Sequence, residues 1–92
     1  MAISFMSRIT VAPDVLVQEL DGESVMLNLK TERYFGLDDV GTRIFTAVTN
    51  SSSIEQAYES LLGEFDVDRV VLRRDIDELL EKLLGNGLVE VG

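Results

Sequence analysis

The side chains able to do chemistry in this chain are carboxylates and hydroxyls, because it contains neither histidine nor cysteine. Ser–His and Cys–His nucleophilic catalysis cannot be assembled from it, and disulfides and thiolate-bound zinc are excluded. The usual general base near neutral pH is missing as well. Carboxylates stand together at Asp38-Asp39 and at Asp66-Val67-Asp68. The first pair lies where a helical pattern begins, a position at which a carboxylate accepts backbone N–H groups. The second lacks the ligand spacing and the glycine of a calcium loop. Ser51-Ser52-Ser53 has no partner base, and Gly85-Asn86-Gly87 follows a helical pattern rather than a strand, so it is not a phosphate-cradling loop. These residues predict a chain that is not an enzyme and uses no cofactor and no metal.

Charge narrows the partners. The 92 residues include 17 acidic and 8 basic side chains, for a net charge of −9. Nucleic-acid binders neutralise phosphates with clustered Lys and Arg, so DNA, RNA and anionic membranes are poor matches. No apolar run approaches the roughly 20 residues of a membrane span. The opening residues lack the basic start and long apolar stretch of a signal peptide, and the absence of cysteine fits a reducing compartment. A cytoplasmic location is expected.

The elements that must position any site follow from periodicity. Hydrophobic residues at 46% suffice for one modest core. Residues 1–14 read as an extended or loosely ordered lead-in ending near Pro13, and residues 15–92 as the domain. Val15 to Leu20, Ser24 to Leu29 and Arg33 to Leu37 read as three strands. Asp21-Gly22 is a tight-hairpin signal, and Lys30-Thr31-Glu32 is a polar turn. Val25, Leu27 and Leu29 share one face of the second strand at period 2.

From Asp38 the period becomes helical. The first helix, capped by Asp38 or Asp39, is expected to bury Val40, Ile44, Ala47 and Val48, with Phe45 beside them. Ser53 with Gln56 fits a capping box for a second helix carrying Ile54, Ala57, Leu61 and Leu62. Asp66 is expected to cap a third helix over about Val67 to Leu84, and Gly85-Asn86-Gly87 ends it. Leu88 to Val91 is a short extended tail. The order β-β-β-α-α-α predicts an α+β domain with a three-stranded antiparallel sheet, resembling a winged helix-turn-helix.

Two features stand out against that frame. The third strand is an edge of the meander unless a terminus covers it, and the first strand is the alternative edge. Tyr34-Phe35-Gly36-Leu37 carries neither the proline nor the inward charge that usually blocks stray pairing. A free edge of this kind accepts another chain by strand addition. Phe35 and Leu37 suit the core, whereas Tyr34 lies on the other face and suits a contact surface. The third helix has a core stripe of Leu72, Ile76, Leu79, Leu80 and Leu83. Val67 and Val70 fall opposite it with Arg74, Asp77 and Glu81, and Val71 lies between. An apolar patch rimmed by charge marks either a packed loop or one wall of a groove. As a DNA-reading helix this segment is unsuited, since Asp66 to Lys82 holds six acidic and four basic residues.

With these residues in place, the chain resembles the PqqD-like family, the leader-recognition domains of ribosomal peptide biosynthesis. The likeness runs from about Val15 to Val91. It rests on Val25-Met26-Leu27-Asn28-Leu29, then Arg33-Tyr34-Phe35-Gly36-Leu37-Asp38-Asp39-Val40-Gly41-Thr42-Arg43-Ile44-Phe45. Phe65-Asp66-Val67-Asp68, Asp75 through Leu80, Leu83-Leu84 and Gly87-Leu88-Val89 support it. The resemblance implies a non-catalytic module that captures the leader segment of a precursor peptide as an added strand. Carried over, the backbone of Arg33, Tyr34, Phe35, Gly36 and Leu37 pairs with the leader, and Val67, Val70, Val71 and Arg74 line the other side. It implies a precursor (leader) peptide as partner, with a separate leader peptidase and cyclase as in lasso-peptide maturation. The rival is a PqqD-type partner of a radical SAM enzyme in pyrroloquinoline quinone synthesis. A winged-helix DNA regulator and a homodimer using the same edge rank below both.

Overall fold

The structure is a computed structural model that describes residues 3–92. In chain order it contains β1 (Ile9–Val11), β2 (Val15–Leu20), β3 (Glu23–Asn28), β4 (Arg33–Leu37), α1 (Asp39–Asn50), α2 (Ile54–Glu64), α3 (Arg69–Gly85) and β5 (Val89–Val91). The antiparallel meander β2-β3-β4 precedes three helices, which is the α+β arrangement that the periodicity predicts.

Turn chemistry sets the meander. Leu20 faces Glu23 across a two-residue loop in which Asp21 and Gly22 both adopt positive φ, at 54° and 82°. Two consecutive left-handed residues make the hairpin turn whose twist matches the strands, as Asp-Gly predicts. At the next reversal Asn28 Oδ1 accepts the N–H groups of Lys30 (3.0 Å) and Thr31 (3.3 Å), and Glu32 takes φ 59°. An asparagine side chain in this role imitates a backbone turn.

Helix ends are capped by short polar side chains. Asp38 accepts from Gly41 N–H at 2.7 Å to start α1. Ser53 accepts from Gln56 N–H at 3.1 Å to start α2, but the Gln56 side chain returns to Ser52 rather than to Ser53. The remaining donors of that helix start are met by the chain's own beginning: Ile54 N–H donates to the Ser7 carbonyl (2.9 Å) and Glu55 N–H to the Phe5 carbonyl (2.8 Å). The third helix starts two residues later than its pattern suggests, because Asp68, not Asp66, accepts from Val70 and Val71. Gly87, at φ 67°, closes its far end.

The lead-in is extended at β1, which pairs antiparallel with β5 in the register Ile9↔Val91, Thr10↔Glu90 and Val11↔Val89. The two ends of the chain therefore complete each other. Phe5 and Ile9 enter the core, which also holds Met26, Leu37, Ile44, Phe45, Val48, Ile54, Leu61, Leu72, Ile76, Leu80, Leu83 and Leu88. On α1, Thr42 is buried and Val40 is half exposed, contrary to the expected stripe. Thr42 replaces Val40 because its hydroxyl meets Ser24 Oγ at 2.9 Å, which satisfies both buried polar groups. Tyr58 joins the α2 core, with its hydroxyl donating to the Arg69 carbonyl at 3.2 Å. No helix among the described residues is long and apolar enough to cross a membrane.

Candidate functional site

The strand order β2-β3-β4 leaves β2 and β4 at the two margins of the sheet, and among the described residues neither outer margin carries a further strand. β1 and β5 pair with each other, so neither of these terminal strands covers β4. The main chain of Arg33 to Leu37 thus has one side paired to β3 and one side open. Unpaired strand N–H and C=O groups are a template for another chain.

Side chains alternate along this margin. Leu37 is buried, Phe35 half-buried and Arg33 exposed on the helix-facing side. Tyr34 projects from the opposite face and is 74% exposed. In register it stands opposite Leu27, which stands opposite Leu16, so one apolar row crosses the sheet. Leu16, Val25, Leu27 and Tyr34 line a shallow hollow there, and Leu20 and Leu29 are also exposed. The face shared by Val25, Leu27 and Leu29 is therefore the outer one. The core receives Ser24, Met26 and Asn28 instead.

The start of β4 is tied to the end of α3. Asn28, opposite Arg33 in the strand register, is 5% exposed. Its Nδ2 donates to the Asn86 carbonyl at 3.0 Å and lies 3.4 Å from the Gly87 carbonyl. Around this link lies a hollow of about 660 Å³ lined by Arg33, Lys30, Gly85, Asn86 and Gly87, among others. A β carbon at Gly87 would lie 3.2 Å from Asn28 Nδ2, so the glycine permits the close approach. Sequence reasoning missed this junction. Its trace in the sequence is an asparagine before a polar turn, facing a Gly-Asn-Gly helix end.

On α3 the proposed wall residues separate. Val67 precedes the Asp68 cap and lies outside the helix, 44% exposed. Val71, Arg74, Glu78 and Gly85 succeed one another at spacings of three, four and seven, a line down one side of the helix. That line ends in the hollow where Arg33 stands. Val70 lies roughly 100° round from Val71. It is 74% exposed and, with Arg74, borders a second hollow lined by Ile3, Phe5, Arg73 and Asp77. Arg73 there stacks over the Phe5 ring at 4.0 Å and pairs with Glu55 at 3.3 Å. Arg74 thus borders the N-terminal hollow while standing on the line that leads to Arg33.

The arrangement offers a surface for binding. Polar backbone lies open along β4, apolar side chains flank it, and charges are spread along α3. No cluster of three or more potential metal-ligating His, Cys, Asp or Glu side chains occurs among the described residues.

Two solved structures are similar. One, described as "TbiB1 in Complex with the TbiA(beta) Leader Peptide", is 33% identical with a TM-score of 0.81, and the match covers 88% of this chain and 94% of that one. The other, "Lasso peptide synthetase B1 complexed with the leader peptide", is 25% identical with a TM-score of 0.80, and the match covers 90% of this chain and 98% of that one. No curated protein matches the chain. The family model described as "Coenzyme PQQ synthesis protein D" matches residues 23–89, most of the protein, and the chain belongs to this PqqD family.

Proposed function

We propose that this protein is a non-catalytic leader-recognition module that captures the leader segment of a ribosomally made precursor peptide. The leader adds as a strand to β4 and is held against α3. The carrying observation is the open margin of Arg33 to Leu37 beside the α3 end, in a chain similar to two proteins described in complex with leader peptides. The residues of β4 whose N–H and C=O groups point away from β3 supply main-chain hydrogen bonds. Val71 and Arg74 face the added strand from the helix, with Val67 and Val70 at its rim.

The energetics suit this role. A flexible leader loses conformational freedom on binding, and main-chain pairing alone says little about its sequence. A few apolar side chains entering between β4 and α3, each worth about 1.5–3 kcal/mol if fully buried, supply the remainder. Holding the leader raises the local concentration of the attached core peptide at a modifying enzyme, without any group of this chain touching the bond that changes. The pathway that fits is lasso-peptide maturation, with a separate leader peptidase and cyclase as the enzymes served.

Calorimetric titration with the leader of the cognate precursor tests the reading. Saturable one-to-one binding that is lost on deletion of the leader supports it. Binding to the core peptide alone, or to neither part, refutes it.

A further inference from the structure

Strand addition leaves register open. A peptide laid along β4 can slip by two residues and keep the same faces inward, so main-chain bonds do not choose among such positions. The choice must come from side chains along the groove, and β4 itself offers few. Gly36 offers none, and Tyr34 points to the outer face. Arg33 is the one cation on β2, β3 and β4 together, and it lies on the face that carries Phe35 and Leu37. No carboxylate among the described residues pairs with it. Asp14 and Glu90 line the same hollow, but Asp14 is engaged loosely with Lys30 at 4.0 Å.

We propose that the Arg33 side chain sets the register of the captured strand by pairing with an acidic residue in it, two residues from an apolar side chain that meets Phe35. The spacing follows from strand geometry, since Arg33 and Phe35 are alternate residues on one face and their cross-strand neighbours must be alternate as well. Charge complementarity sharpens the choice. The protein carries −9 overall, so an acidic residue is disfavoured along most of its surface and favoured beside the one cation of the sheet. The inference rests on the leader-capture reading of the same margin and adds to it a side-chain rule for the ligand.

The test is a selection from a random library of displayed 14-residue peptides against the intact protein, its Arg33→Glu variant and its Arg33→Gln variant. Wild type is expected to enrich an acidic residue two positions from an apolar one, Arg33→Glu to enrich Lys or Arg at that position, and Arg33→Gln to show no charge preference there. Synthetic peptides from the wild-type pool should bind Arg33→Glu about two- to fivefold more weakly, as an exposed ion pair predicts, with the difference shrinking as salt rises. Arg33 pairs with no carboxylate among the described residues, so both variants should unfold close to the wild-type temperature. Identical enriched sequences for all three proteins overturn the register role and leave leader capture standing. Failure of any protein to enrich a peptide that competes at β4 overturns both.

Discussion

Asn28 and Asn86 hold the two sides of the proposed groove together: the Asn28 side chain donates to the Asn86 carbonyl at 3.0 Å while its own oxygen accepts two turn N–H groups. One almost fully buried amide thereby fixes the turn into β4 and the end of α3 in a single network. Asn28→Ala should destabilise the fold by about 1–3 kcal/mol, since it removes several hydrogen bonds made by one almost fully buried side chain. Chemical denaturation measures that loss. Leader affinity, measured where the variant is still folded, should also fall because the helix end is no longer held to the strand start.

The helix wall is tested by paired charge substitutions. Val71 stands on the line that leads to the Arg33 hollow, whereas Val70 lies toward Ile3 and Phe5. Both are exposed enough to accept Glu without unfolding. Val71→Glu is expected to lower leader affinity by about tenfold or more, equivalent to burying or losing one valine side chain. Val70→Glu is expected to cost less. Calorimetry on both variants checks the order, and a larger loss for Val70 would move the groove to the other side of the helix.

The beginning of the chain is predicted to matter for stability. Phe5 is buried, lies edge-on to Tyr58 at 6.1 Å between centroids, and carries Arg73 over its face. Phe5→Ala should cost about 3–5 kcal/mol through the cavity it leaves. A thermal melt shows the shift directly, and an unchanged midpoint would show that this segment contributes little to the fold.

Much of this architecture was legible because local chemistry and global fold agree. Asp21-Gly22 names its turn, Ser53 names a helix start, and the Leu72, Ile76, Leu80 and Leu83 stripe names the core face of α3. The open margin at β4 was legible as one of two alternatives, because a meander has two edges and sequence does not say what the termini cover. The partner of β5 is β1, a pairing across nearly the whole chain that no local pattern encodes. The outer face of the sheet was harder to read. Ser24 and Asn28 look like surface residues and Val25 and Leu29 like core, but the two polar side chains are buried with partners while the apolar ones stay exposed. Taking Asp66 as the cap places Val67 in the helix, whereas the hydrogen bonds from Val70 and Val71 make Asp68 the cap.

Amide hydrogen exchange with and without bound leader tests the central claim most directly. The account predicts that binding slows exchange at those amides of Arg33 to Leu37 that point away from β3, with protection continuing onto the ligand's own backbone. Protection confined to β2, or to the helices with β4 unchanged, would contradict it.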